Sequence, residues 1–110
     1  MLKADEFRRI ALSFPEVVEG AHMGHADFRV GGKIFATLGY PDNGWGMVKL
    51  SPQDQQLVVQ AEPKAFAPSK GAWGQRGSTS VQLRTARKKA VYEALCAAWS
   101  NVAPKKLALR

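Results

Sequence analysis

Between Glu62 and Glu93 the sequence holds seven cations, Lys64, Lys70, Arg76, Arg84, Arg87, Lys88 and Lys89, and no acid. Side chains of this type neutralise phosphates, the contact nucleic acid presents whatever its sequence, and Trp73 stands among them. The rest of the chain does not share the bias. Residues 1–50 carry six cations (Lys3, Arg8, Arg9, Arg29, Lys33, Lys49) against six acids (Asp5, Glu6, Glu16, Glu19, Asp27, Asp42), so the formal net charge of +7 comes wholly from residues 51–110. Such asymmetry points to a polyanionic partner. A basic surface that merely maintains solubility accounts for the same count.

Three of these cations carry a second signal. Thr85 reads as the cap of the last helix, which sets Arg87, Lys88 and Lys89 in its first turn, where the helix dipole disfavours each cation by about 0.3–1 kcal/mol at low salt. A bound phosphate reverses that sign, drawing on the free amides, the Thr85 hydroxyl and the three cations together. Side chains that bend into screened solvent are the alternative. The expected nucleic-acid contacts are Lys70, Trp73, Arg76, Arg84, Arg87, Lys88 and Lys89.

No catalytic constellation accompanies them. The chain lacks a Ser-His-Asp order with supporting glycines and a GxxxxGK[ST] loop, and Glu16 and Glu19 form only a weak acid pair on a surface turn. Neither an enzyme nor a cofactor is expected. His22 and His25 raise the question of a metal, but they precede a strand, where residues three apart point to opposite sides, and no acid or cysteine stands at a familiar ligand spacing. Histidines that hydrogen-bond locally are the simpler reading, with no metal. The one cysteine, Cys96, excludes an intramolecular disulfide, and no apolar run approaches a bilayer's span. A cytoplasmic location without a membrane partner is expected, the amino terminus having acids and no small-residue cleavage site.

The elements that must position the cations start from a hairpin. In FRVGGKIFATL (residues 28–38), Gly31-Gly32 supplies the positive φ of a two-residue turn, so Val30 faces Lys33, Arg29 faces Ile34 and Phe28 faces Phe35. Its second arm is apolar on both faces and belongs inside a sheet. Phe7, Ile10, Ala11 and Phe14 predict a helix over about residues 3–13 that Pro15 stops, with Glu6, Arg8 and Arg9 solvated. Val17 and Val18 are consistent with the start of a further strand, although the pattern over residues 16–26 is weak. Residues 45–50 read as a strand; Ser51 caps a helix that Pro63 ends. Residues 63–76 read as an ordered surface loop, and Ser78 to Arg84 as a half-buried strand with Thr79, Val81 and Leu83 inward. Val91, Ala94, Leu95, Ala98, Trp99 and Val102 mark the last helix, which Pro104 ends before a basic tail from Lys105 to Arg110.

At 110 residues these elements fill one domain, and their order suits an α+β two-layer sandwich, an antiparallel sheet with helices packed on one face. The open face would display Trp45, Met47 and Lys49 beside Ser78, Ser80, Gln82 and Arg84. That is a platform for nucleic acid, or equally an interface for a second copy or another protein, and packing at the sheet edge also accounts for Trp45.

Over nearly its whole length the sequence resembles the MmcQ/YjbR family of small bacterial proteins. The resemblance is carried by FPEV (residues 14–17), HADFRVGGKIFATL (25–38), MVKLSPQDQ (47–55), GAWGQRGSTSVQL (71–83), Ala98-Trp99 and Ala103-Pro104-Lys105-Lys106. Some members carry an aromatic directly after the glycine that stands here as Gly77; this chain has Ser78. The resemblance implies a two-layer CyaY-like fold and a DNA-binding role through a double-wing arrangement, with no reaction attached.

Overall fold

A computed structural model describes residues 2–107, beginning with a helix, α1 (Ala4–Leu12), whose buried residues are Phe7, Ile10 and Ala11. Four antiparallel strands follow, β1 (Val18–His22), β2 (His25–Val30), β3 (Lys33–Leu38) and β4 (Trp45–Lys49). A second helix, α2 (Pro52–Ala61), leads to a three-residue strand, β5 (Phe66–Pro68), and a single turn, α3 (Ala72–Gln75). The chain closes with β6 (Ser78–Gln82) and α4 (Lys88–Val102), followed by a 3-10 turn over Lys105–Leu107. The rest of the expected basic tail, 108–110, lies outside the described residues.

All six strands form one antiparallel sheet in the order β1-β2-β3-β4-β6-β5. Phe28, Val30, Val48 and Val81 project from one face into a core closed by Phe7 of α1 and by Val91, Leu95 and Trp99 of α4. The helices gather on that face, as the sequence pattern requires of a sheet with one apolar side. The α+β two-layer arrangement expected from the element order is the one observed.

The central hairpin has Gly31 and Gly32 both at positive φ, with Val30 opposite Lys33 and Arg29 opposite Ile34 as expected. Beyond that the expected register fails, because Phe28 pairs with Ala36 rather than Phe35. A bulge leaves Phe35 without a partner, and both Phe35 and Ala36 are buried. An extra residue bends the strand so that neighbours no longer alternate strictly. That is how two consecutive apolar residues enter the core.

Three further expectations change. The weak segment over residues 16–26 contains a complete edge strand, β1, and its turn to β2, in which Met23 takes a positive φ. Gly24 beside it also takes a positive φ and is the conventional turn residue, whereas methionine at the first position is not one by type. The loop over residues 63–76 contains β5 and α3; Phe66 is buried opposite Val81, and Pro68 is tolerated because β5 is an edge strand. The strand expected to reach Arg84 ends at Gln82, giving way to a 3-10 turn over Leu83–Thr85.

Candidate nucleic-acid interface

Pairing across β4 and β6 sets Trp45 opposite Gln82, Met47 opposite Ser80 and Lys49 opposite Ser78. Cross-strand partners share a face, so these side chains stand together on the side away from α1 and α4. Trp45, Met47, Lys49, Ser80 and Gln82 are half-buried; Ser78 is buried, its hydroxyl 3.0 Å from that of Ser69. Arg84, expected among them, sits instead on the exposed 3-10 turn.

The cations divide between the two ends of β6. Lys70, Trp73 and Arg76 surround α3 at its beginning, where Ser69 N donates to Ser78 O. Trp73 is 62% exposed, and the Arg76 guanidinium lies 5.9 Å from its ring centroid. Arg84, Arg87, Lys88 and Lys89 lie beyond the other end, exposed. Five strand residues separate the groups by about 15 Å. Sequence proximity placed all seven together; the extended strand between Gly77 and Leu83 holds them apart.

At the second end, Thr85 does not cap α4. Its hydroxyl donates to Lys64 O at 2.6 Å and to Gln82 O at 3.3 Å, while Arg87 is the N-cap residue and α4 begins at Lys88. The Thr85 hydroxyl is therefore committed to the turn, and the phosphate cradle expected around it is not formed. Arg87 is paired with Glu62, which stands at the end of α2. Arg84, Lys88 and Lys89 have no carboxylate within salt-bridge distance among the described residues, nor do Lys70 and Arg76.

One side chain sets the α3 end. Gln55 of α2 directs its amide nitrogen at Gly74 O (2.9 Å), Ser78 O (3.0 Å) and Thr79 Oγ1 (3.2 Å), joining α2, α3 and β6. Gly74 lies so near Ser69 that an added Cβ would fall 1.7 Å from its carbonyl oxygen, and one at Gly77 would fall 1.8 Å from Leu50 O. The two glycines fold the Trp73 turn flat against the start of β6.

Across β2 and β1 the same face holds a charged cluster that sequence reasoning missed. Asp27 is fully buried, receiving bonds from Arg29 Nε at 2.8 Å and Nη2 at 3.1 Å, with His22 Nδ1 at 2.7 Å. Its signal was the i, i+2 spacing of Asp27 and Arg29, which share one face of a strand. His25 packs edge-on to Tyr40, so the two histidines have separate structural roles. Among the described residues no three His, Cys, Asp or Glu gather as metal ligands. On α1, Arg8 reaches Glu19 of β1 and Asp5 rather than standing solvated.

The Arg29 hydrogen bond is the main force holding the Asp27 carboxyl below its ordinary range; desolvation opposes it and His22 adds to it. A lowered native pKa stabilises the fold above the unfolded value of about 3.9 and loses that contribution as pH falls through the native value. Urea titrations from pH 6 downward are expected to show Asp27→Asn less stable than the parent at pH 6, with the difference shrinking below pH 4. A constant difference across that range would remove the carboxylate from the account.

A family model described as YjbR matches residues 12–101. No curated protein matches the sequence. The fold is similar to that of Deinococcus radiodurans protein DR2400, a crystal structure with a DUF419 domain. The TM-score is 0.78 at 20% identity, over 98% of this chain and 83% of that one. Among the described residues no helix is long and apolar enough to cross a membrane.

Proposed function

We propose that this chain, which belongs to the YjbR family, binds DNA along the β6 side of its sheet and does so without catalysing a reaction. The observation that carries the reading is the pairing of an exposed Trp73, under the Arg76 guanidinium, with unneutralised cations at both ends of one strand. A large exposed indole beside a cation suits a stacked base and its phosphate. The roughly 15 Å between the groups corresponds to four or five phosphates at about 3.4 Å per nucleotide of one strand. Ser80 and Gln82 lie between them with hydrogen-bonding groups and no acid. Contacts of this kind position a backbone and carry little sequence information.

Fluorescence anisotropy with labelled single-stranded and duplex DNA tests the proposal. Four neutralised phosphates give a log–log salt slope of about −3.6 on duplex and about −2.8 on single-stranded DNA, or roughly a hundredfold and a fiftyfold loss between 50 and 200 mM salt. Changing Arg84, Lys88 and Lys89 together to Ala is expected to flatten the slope, and Trp73→Ala to weaken single-strand binding at every salt concentration. Absence of binding at 50 mM salt, or affinity untouched by both changes, would reject it.

A further inference from the structure

At the corner of the sheet where β3 begins and β4 ends, the Gly31-Gly32 turn, β4 and the last turn of α4 enclose a cleft of about 480 Å³. Arg29, Gly32, Lys33, Ile34, Lys49 and Asn101 line it, together with Val102. Three of these seven are cations and none is a carboxylate. Arg29 and Ile34 are cross-strand partners, and Ile34 supplies part of an apolar floor, while the Arg29 guanidinium turns toward Gly20 of β1, where an added Cβ would stand 3.2 Å from Nε.

The walls are fixed to one another. Asp27 engages Arg29 through Nε and Nη2, which fixes the guanidinium beside β1 and neutralises it. Asn101 Nδ2 donates to Lys49 O at 3.0 Å, tying α4 to the end of β4. Gly31 lies so close to Pro104 that an added Cβ would stand 2.8 Å from its Cγ, which seats the turn against the segment after α4. Lys33 and Lys49 have no carboxylate within salt-bridge distance among the described residues.

The end of α4 offers a competing reason for cations here, since its last turn contains no basic residue of its own and its final carbonyls carry partial negative charge. One cation answers that need. With Arg29 neutralised by Asp27, Lys33 and Lys49 still leave more positive charge than a helix end of about half an elementary charge balances. We propose that the cleft is a binding site for a phosphate group, with Lys33 and Lys49 as its donors. A dianion matches the charge of the two lysines, ammonium groups are common phosphate donors, and the volume leaves room for a small group beyond the phosphate. The inference stands apart from DNA binding, because none of Lys70, Trp73, Arg76, Arg84, Arg87, Lys88 or Lys89 lines the cleft.

Titration of the ¹⁵N-labelled chain with inorganic phosphate, at pH 7.5 and constant ionic strength set by sodium chloride, tests it. Saturable amide shifts are expected at Gly32, Lys33, Ile34, Lys49 and Asn101, with affinity about tenfold weaker in Lys49→Gln and in Lys33→Gln, the loss of one charge-assisted hydrogen bond. Ribose 5-phosphate and an unphosphorylated-end trithymidylate then separate the sources. Tighter binding of the monoester identifies a free phosphorylated small molecule, and tighter binding of the diester identifies a nucleic-acid backbone crossing the corner. Shifts that grow linearly with concentration, or that persist unchanged in both folded variants, overturn the proposal.

Discussion

Gly77→Ala is expected to lower stability by about 4 kcal/mol, combining a backbone conformation disfavoured for L-residues with overpacking against a rigid carbonyl. Gly77 has φ +113°, and an added Cβ would fall 1.8 Å from Leu50 O. Neither partner can give way cheaply. Leu50 N donates to Gly77 O at 3.2 Å, so the two backbones are tied close to the point where the methyl would enter. Thermal unfolding measures the effect, and at about 4 °C per kcal/mol for a chain of this size the melting temperature is expected to fall by roughly 15 °C. Gly24→Ala is the control, since Gly24 also has positive φ, +80°, but nothing within 4 Å of the new atom. Equal losses at the two positions would show that backbone conformation, and not contact with Leu50, sets the requirement.

Trp99→Ala is expected to cost a similar amount, about 3–5 kcal/mol, the range for removing a large buried aromatic. Trp99 is fully buried among the core residues of α4, and its Nε1 donates to Pro15 O at 3.0 Å. It thus fills the core and also satisfies a carbonyl just beyond α1, joining segments 84 residues apart. Trp99→Phe separates the two roles: it keeps much of the volume and loses the bond, with an expected cost of about 1–2 kcal/mol from the unpaired carbonyl and the smaller ring. Urea unfolding of the three proteins gives the comparison. A Phe variant as unstable as the Ala variant would place most of the energy in the hydrogen bond.

The sequence pattern made the layer arrangement legible wherever one period ran uninterrupted. Phe7, Ile10 and Ala11, and Val91 to Trp99, occupy the buried stripes expected of their helices, and Val48, Val81 and Leu83 face inward. Reading failed where the chain departs from a regular period. Phe35 is a bulge residue, Met23 takes a left-handed conformation beside Gly24 in the β1–β2 turn, and α3 is a single helical turn inside a segment punctuated by proline and glycine. The cations were legible as a charge bias but not as a place. β6 is extended, so Arg76 and Arg84 diverge, and counting charges over residues 1–50 concealed Lys33 and Lys49, whose neutralising acids lie elsewhere on the molecule.

Helix α2 has no fully buried residue, and Leu57 is 63% exposed. Its apolar anchors, Val58 and Val59, are only partly buried against the core, while the Gln55 amide reaches three acceptors on α3 and β6. Lifting α2 from the sheet would strip the Gly74 and Ser78 carbonyls of that donor in the same motion. The turn that carries Trp73 is accordingly coupled to a helix with no fully buried residue, and Gln55 is one link by which a disturbance of α2 reaches it.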